Sequence, residues 1–293
     1  MASLRDVQNK IVGVKKTKQI TKAMNMVASA KLRSAQSRIE RFRPYAEKFY
    51  EMLGDLAGGA DSSVHPLLEV REEVHTVGII VVTSDRGLAG SFNTNMITTA
   101  MRLARAKSAE GKTVKVYCVG KKGRDAFRKS DFEIVLQYPD SMTGFDFTLA
   151  AEVGMEVING YLSGELDEVH LVYGEFVSMA RQEPRQQQLL PIAPAEAEEE
   201  GVAPESSSEY VYEPSVEGLL AELLPRFVKV QVYRGLLDTS ASEHAARMAA
   251  MDNATRACDD MTKALTQLYN KTRQATVTTE LMDIVGGAEA LKG

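Results

Sequence analysis

The chain has 293 residues, 44% apolar and 26% charged, the balance of a water-soluble globular protein with a sizeable core. Its apolar run near residues 77–82 is far too short to span a bilayer, and Met1-Ala-Ser-Leu-Arg-Asp leads directly into a helical pattern with no signal-peptide signature, so any membrane association is expected to be peripheral. The net charge of −5 hides a division: eleven Lys or Arg face only Asp6 and Glu40 in residues 1–43, which carry +9, so the remainder carries −14. A basic helix asks for an acidic partner, but no aromatic precedes Phe42 and no base-stacking platform accompanies the charge, which argues against nucleic acid. Cys118 and Cys258 stand alone in a strand-like and a helical setting, which points to structural burial in a reducing compartment.

Residues 4–56 set the organisation of the chain. Positions 4, 7, 11, 14, 18, 21, 25, 28, 32, 35, 39, 42, 46, 49, 53 and 56 follow a 3,4 step, and thirteen of the sixteen are apolar. A 3.5-residue repeat of this length marks a supercoiled helix. At about 1.5 Å per residue the helix runs roughly 80 Å, longer than the ~50 Å diameter of a compact domain of this chain length, so it must project and its stripe needs a partner. Pro44 should bend it without ending it, because the stripe keeps phase, and Gly54, Gly58 and Gly59 should stop it. Three consecutive stripe positions, Lys18, Thr21 and Asn25, are polar, while Ile20, Met24 and Val27 place apolar groups a step around the helix, as if its apolar side turned there toward another protein.

A βα alternation follows, with strands expected at residues 76–82, 113–119, 134–137 and 168–173 and helices at 94–107, 122–129 and 148–162. That spacing predicts a mainly parallel sheet covered on both faces. Residues 176–190 carry no clear pattern. Residues 191–214 are rich in Ala, Glu, Pro and Ser, and no Lys or Arg occurs between Arg185 and Arg226, which predicts an exposed acidic loop.

The partner for the first helix lies at the other end. Residues 215–237 read as a helix broken near Pro225, leading into a second long helix whose start is marked by Ser240-x-x-Glu243 and which is free of Gly and Pro from 236 to 285. A 3,4 stripe is expected at Ala254, Cys258, Met261, Leu265, Leu268, Thr272, Ala275, Thr279 and Met282. A second stripe beside it, Val277, Leu281, Ile284, Ala288 and Leu291, makes that tip apolar on more than one side, with no spare helix in the sequence to cover it. The expected fold is therefore α/β: a long antiparallel coiled coil of N- and C-terminal helices plus a Rossmann-like middle domain. The divisions are a coiled-coil helix at 1–58, an α/β domain at 70–190, the acidic loop at 191–214 and helices completing the coiled coil at 215–293.

Signatures of bond-making chemistry do not accompany this fold. The turn after the first strand, Ser84-Asp-Arg-Gly-Leu-Ala-Gly-Ser-Phe-Asn93, is neither GxGxxG nor a P-loop, and Gly120-Lys-Lys-Gly123 is too short to cradle a phosphate. His65, His75, His170 and His244 are scattered, with no HExxH or Cys-His arrangement, and there is no GxSxG. No catalytic residue, metal or cofactor is expected.

Four stretches carry a resemblance across the chain: residues 20–31 (ITKAMNMVASAK), 84–90 (SDRGLAG), 242–252 (SEHAARMAAMD) and 269–280 (YNKTRQATVTTE), the last continuing to Gly287-Ala288. They resemble the gamma subunits of bacterial F-type ATP synthases. The resemblance implies a non-catalytic central rotor shaft, one copy inside a ring of three alpha and three beta subunits, bearing on the epsilon subunit and the membrane ring of c subunits. Ion flow would turn it, and it would drive the ATP-forming sites of beta through their conformations; the reverse direction would pump ions. The implied location is the cytoplasmic side of the bacterial inner membrane.

Residue by residue, the resemblance implies that Lys10, Lys15, Lys16, Lys18, Lys22 and Arg33 face an acidic lever segment of beta, with Met24 where the shaft turns against it. Arg273, Gln274, Thr278 and Glu280 match positions that bond a catch loop of beta. Val277, Leu281, Ile284, Ala288 and Leu291 would sit in a hydrophobic collar, and Tyr210, Tyr212 and Glu213 resemble the foot that meets the c ring and epsilon. The acidic stretch 195–209 departs from the family pattern. Without the resemblance, a non-rotary coiled-coil scaffold with an α/β head and a small-molecule enzyme remain open.

Overall fold

The computed structural model describes residues 3–57, 65–192 and 216–290. The order of elements is α1 (Leu4–Ala57), β1 (Thr76–Val82), α2 (Phe92–Ala109), β2 (Thr113–Val119), α3 (Lys121–Phe127), β3 (Glu133–Tyr138), α4 (Phe147–Leu162), β4 (Glu168–Phe176), β5 (Gln182–Leu190) and α5 (Val216–Ala290). Two compact units result: residues 29–247, and residues 1–28 with 248–293.

The larger unit is built on one five-stranded sheet in the order β3-β2-β1-β4-β5, parallel except for β5, which runs antiparallel to β4. The sheet is buried on both faces, which is why its strands read as continuous apolar runs. Along β1 the side chains alternate: Val77, Ile79 and Val81 pack with Ala100, Leu103 and Ala104 of α2, while Ile80 and Val82 join Val153 and Val157 of α4. The second face is also covered by α5, whose Leu220, Leu224, Val228, Val232, Leu236 and Leu237 are all essentially without solvent contact. Phe49 of α1 belongs to the same core.

Polar ties fasten the ends of the strands. Asp167 accepts the backbone N–H groups of His75 and Thr76, both at 2.8 Å, and pairs with Arg71. Burial raises its pKa, yet the two N–H donors and the guanidinium outweigh that and hold the carboxyl below its ordinary value. Glu168 receives Nε2 of His170 at 2.8 Å and Nζ of Lys107 at 2.8 Å. The hydrogen bond from His170 leads in bringing its carboxyl down to about 2, against a desolvation that pushes the other way.

Several expectations are corrected. Helix α5 runs unbroken through Pro225, because buried Leu220, Leu224 and Val228 on either side anchor it despite a cost of about 3 kcal/mol for an interior proline. Ser240-x-x-Glu243 caps nothing: it lies within α5, where Glu243 accepts Nε of Arg247 at 2.8 Å. Residues 182–190 form the edge strand β5, in which Pro184 stands opposite Gly174. Cys118 is buried and its thiol pushed up to about 12 by that burial, whereas Cys258 is only half-buried.

In the smaller unit, α1 buries or half-buries Leu4, Val7, Ile11, Val14, Lys18, Thr21, Asn25 and Ala28, the stripe as expected. On α5 the frame differs. Met251, Thr255, Cys258, Thr262, Leu265, Tyr269, Thr272 and Thr276 form the covered row, while Met261 and Leu268 are 53% and 46% exposed and Ala275, Thr279 and Met282 are exposed too. Thr255, Thr262 and Thr276 donate their hydroxyls to carbonyls four residues back at 2.8, 2.7 and 3.0 Å, so the polar atom is satisfied within its own helix and the residue can occupy a seam. The polar interruption of α1 is met within the chain, while Ile20 and Val27 beside it stay 60% and 57% exposed. Lys18 pairs with Asp259, Thr21 meets Thr255 and Asn25 bonds the carbonyl of Met248.

Two outcomes test this account. Gly120 has φ +93°, and a Cβ there would overlap the carbonyl oxygen of Thr83, so Gly120→Ala is expected to cost on the order of 3 kcal/mol in denaturant unfolding. Because the pKa of Glu168 is depressed, its stabilisation is complete above the ordinary 4.5 and disappears as pH falls toward about 2. Thermal melts are expected to show Glu168→Gln less stable than the parent near neutrality, with the two curves converging through that acid window.

Candidate partner-binding surface

The candidate residues sort by their place around the two long helices. On α1, Lys10, Lys15, Lys16 and Lys22 are exposed, off the row that α5 covers, and so are Val12, Ile20, Met26 and Val27 at 48 to 60%. Within the smaller unit this helix face therefore mixes free cations with uncovered apolar groups, a composition suited to protein recognition. Met24 is half-buried. Lys18 differs from the other lysines: its Nζ lies 2.5 Å from Oδ1 of Asp259, so its charge is already matched inside the chain. Arg33 is exposed and belongs to the larger unit.

On α5, Arg273, Gln274, Thr278 and Glu280 are all exposed. Every residue from 277 to 289 is exposed, including Val277 (56%), Leu281 (59%), Ile284 (71%) and Ala288. The cause is geometric. The covered row on α5 ends at Thr276 and α1 begins at Leu4, so α5 runs on past its partner. Gly286 and Gly287 have nothing within 4 Å of where a side chain would start, and each weakens a helix by about 1 kcal/mol relative to Ala. Leu291, Tyr210, Tyr212 and Glu213 lie outside the described residues, as does the acidic stretch 195–209.

A second feature was not singled out by its geometry in the sequence. The segment after β1 is held as a rigid loop: the Asn93 side chain accepts the N–H of Ser84 at 3.0 Å and donates to the carbonyl of Arg86 at 3.2 Å, and Arg247 donates to the carbonyl of Gly87 at 2.7 Å. Asp85 accepts three backbone N–H groups, from Lys121, Asp140 and Met142, each at 2.9 Å. At the end of β4, the N–H of Gly174 donates to Oγ1 of Thr239 at 3.1 Å and Oγ of Ser242 donates to its carbonyl at 3.0 Å. Open α/β sheets take ligands beyond the carboxyl ends of strands where the order reverses, here between β1 and β4. In this chain α5 occupies that place and a carboxylate occupies the N–H cradle beside it. Among the described residues no group of His, Cys, Asp and Glu has metal-binding geometry, and no helix is long and apolar enough to cross a membrane.

The family model described as ATP synthase matches residues 3–291. An ATP synthase gamma chain of Nitratidesulfovibrio vulgaris (strain Miyazaki F) is 73% identical over 293 residues, covering all of both chains. That of Lawsonia intracellularis is 56% identical over 292 residues, again covering both in full. Among solved structures, a chain of the Tetrahymena thermophila mitochondrial ATP synthase central stalk and c ring superposes with a TM-score of 0.59 at 27% identity, covering 80% of this chain and 99% of that one. A chain of the Euglena gracilis mitochondrial enzyme reaches a TM-score of 0.68 at 22% identity over 98% of this chain and 94% of that one, a likeness of fold. With a family model spanning nearly every residue and full-length relatives at such identity, the chain belongs to the ATP synthase family, among its gamma chains.

Proposed function

We infer that the chain is the central rotor shaft of a bacterial ATP synthase, a non-catalytic subunit that couples ion flow through a membrane ring to the conformational cycle of catalytic sites on other subunits. The observation that carries this reading is the bare end of α5, thirteen consecutive exposed residues rich in Val, Leu, Met and Ile on a helix that no other described residue covers. A contiguous apolar surface of this kind marks a site of interaction with a partner. In this reading Val277, Leu281, Ile284, Ala288 and Leu291 sit in an apolar collar. Arg273, Gln274, Thr278 and Glu280 bond polar groups of beta, and the exposed cations Lys10, Lys15, Lys16 and Lys22, with Met24 beside them and Arg33 further along, face an acidic segment of beta. Tyr210, Tyr212 and Glu213 serve the contact with epsilon and the c ring.

One copy of the chain stands within three alpha and three beta subunits, on the cytoplasmic side of the inner membrane. A shaft must differ from the ring around it, since a single asymmetric body can hold three equivalent sites in three states only by touching each differently. The uneven dress of the two helices, basic on α1 and apolar at the end of α5, supplies that asymmetry. Lys18 is set apart from the beta-facing group, because Asp259 already holds it.

Three measurements bear on this. Affinity purification of the tagged chain from native membranes is expected to recover it once per three copies of an ATP-hydrolysing partner; recovery alone, or with turnover of its own, would refute the reading. Reversal of Lys10, Lys15 and Lys16 to Glu is expected to lower ions pumped per ATP hydrolysed several-fold while the complex still assembles, at up to about 1 kcal/mol per exposed contact, with the effect shrinking as salt rises. Ile284→Asp is expected to reduce the yield of assembled complex about tenfold, the equivalent of losing roughly 1.5 kcal/mol of apolar burial.

A further inference from the structure

The two helices of the smaller unit meet through apolar or small residues on either side of one polar block. Lys18 Nζ lies 2.5 Å from Asp259 Oδ1, Thr21 Oγ1 lies 2.8 Å from Thr255 Oγ1, and Asn25 Nδ2 donates to the carbonyl of Met248 at 2.8 Å. Thr21 is 8% exposed, and each threonine hydroxyl also reaches a carbonyl of its own helix, Lys18 at 3.0 Å and Met251 at 2.8 Å. With two protons between them, one hydroxyl can donate across the seam while the other donates at home. Lys18 and Asp259 keep 38% and 45% side-chain exposure, so neither charge is stranded.

These bonds are costly relative to an apolar seam and contribute little net stability. What they add is direction. Away from the block, the row on α1 offers Val7, Ile11 and Val14 and the row on α5 offers Cys258, Thr262, Leu265 and Tyr269. A slide of one helix by three or four residues, one step of the 3,4 repeat, moves it by about 5 Å along the other and again sets seam against seam. Counted from the Lys18–Asp259 and Thr21–Thr255 pairs, Val14 comes level with Thr262; after the slide it would meet Cys258 or Leu265, and Ile11 would meet Thr262 or Tyr269. All are acceptable neighbours. The block is not so forgiving. The same slide sets Lys18 against Thr255 or Thr262, away from Asp259, and Thr21 against Met251 or Cys258.

We propose that Lys18, Thr21, Asn25, Thr255 and Asp259 form a register lock: a polar layer whose task is to reject every alignment of the two helices but one. A lone polar position in a coiled coil is known to fix alignment in this way at the expense of stability. The lock explains why three consecutive stripe positions on α1 are polar although the row is apolar on both sides, and it withdraws Lys18 from any outside partner. The proposal stands on the pairing geometry and holds whether or not the chain turns inside a complex.

The test is a distance measurement on the full chain. In a Cys118→Ser, Cys258→Ser background, spin labels on Gln8→Cys and Asn253→Cys, both exposed, sit about 22 Å apart along the helix axes, so a slide moves them by about 5 Å. The parent is expected to give one narrow distance. The variant Lys18→Met, Thr21→Val, Asn25→Leu, Asp259→Leu is expected to give a second population displaced by about 5 Å, with a thermal midpoint equal to or above the parent's. Exchanging the charges, Lys18→Asp with Asp259→Lys, is expected to keep the single distance. If the apolar variant fails to fold, Lys18→Glu alone sets like charges together and is expected to split the distance. A single unmoved distance in the folded apolar variant or in Lys18→Glu, or a charge exchange that splits like the apolar variant, overturns the lock.

Discussion

The constraint on which this molecule depends is the 3.5-residue repeat shared by α1 and α5. An apolar stripe of that period stays in phase over many turns with a second long helix of the same repeat. Each long helix is thus the best available cover for the other. Within residues 1–28 and 248–293 the seam is thin, made largely of Val, Ala, Cys and Thr, which allows close approach of two backbones but buries little area per residue. Within residues 29–247, α5 instead packs on the sheet with a full set of Leu, Val and Phe, and α1 contributes Leu32, Ala35, Ala46 and Phe49 to buried positions. One polypeptide helix therefore changes its kind of packing partway along. The change falls where its sequence turns from Leu and Val to Ala, Met and Thr.

The α/β domain follows from the same demand for cover. A parallel sheet needs helices on both faces, and α5 is one of them, lying against β4 where Gly235 leaves no room for a Cβ beside Leu171. Continuing past the end of the strand, α5 brings Thr239 and Ser242 onto Gly174 and Arg247 onto Gly87. Pro184, opposite Gly174 on β5, has no N–H to offer. The hydroxyls of α5 serve the peptide groups of Gly174 at this point. Meanwhile Asp85 gathers three N–H groups of the kind that often hold phosphate in related architectures. A fold associated with nucleotides here has its binding features answered from within the chain.

Much of this was legible in the sequence, and the failures share a cause. The strands, the three middle helices and the α1 row were readable because burial on a fixed period dictates residue type. The α5 row was misplaced because hydrophobicity alone favours Met261 over Thr262, whereas a threonine that satisfies its own hydroxyl within the helix can take the seam. Ser240 and Glu243 imitate a helix start, since a capping box is a local pattern and nothing local reveals that Ser242 and Thr239 are spoken for by Gly174. Pro225 was read as a break for the same reason: its penalty is local and its compensation is tertiary. Among the partner-facing residues, exposure at Arg273 to Glu280 could be anticipated from the resemblance, but the pairing of Lys18 with Asp259, 241 positions apart, had no signal in either neighbourhood.

That last pairing shows what separates a residue of the fold from a residue of the interface on such a helix. Lys15 and Lys22 stand one position from the seam at Val14 and Thr21, a rotation of about 100°, and both face solvent. Lys18 falls on the seam and is consumed there. The same step separates Tyr269, on the seam, from Leu268, 46% exposed, and it is why a charge or hydrophobicity total over the helix carries little information about function. Beyond Thr276 the distinction lapses, since with α1 absent every side of α5 is outward. There the sequence keeps Val, Leu, Met and Ile in company with two glycines, a combination that a solitary helix cannot repay with its own contacts. Its order has to come from what surrounds it, so the same residues that weaken the free chain are those that a partner would recognise.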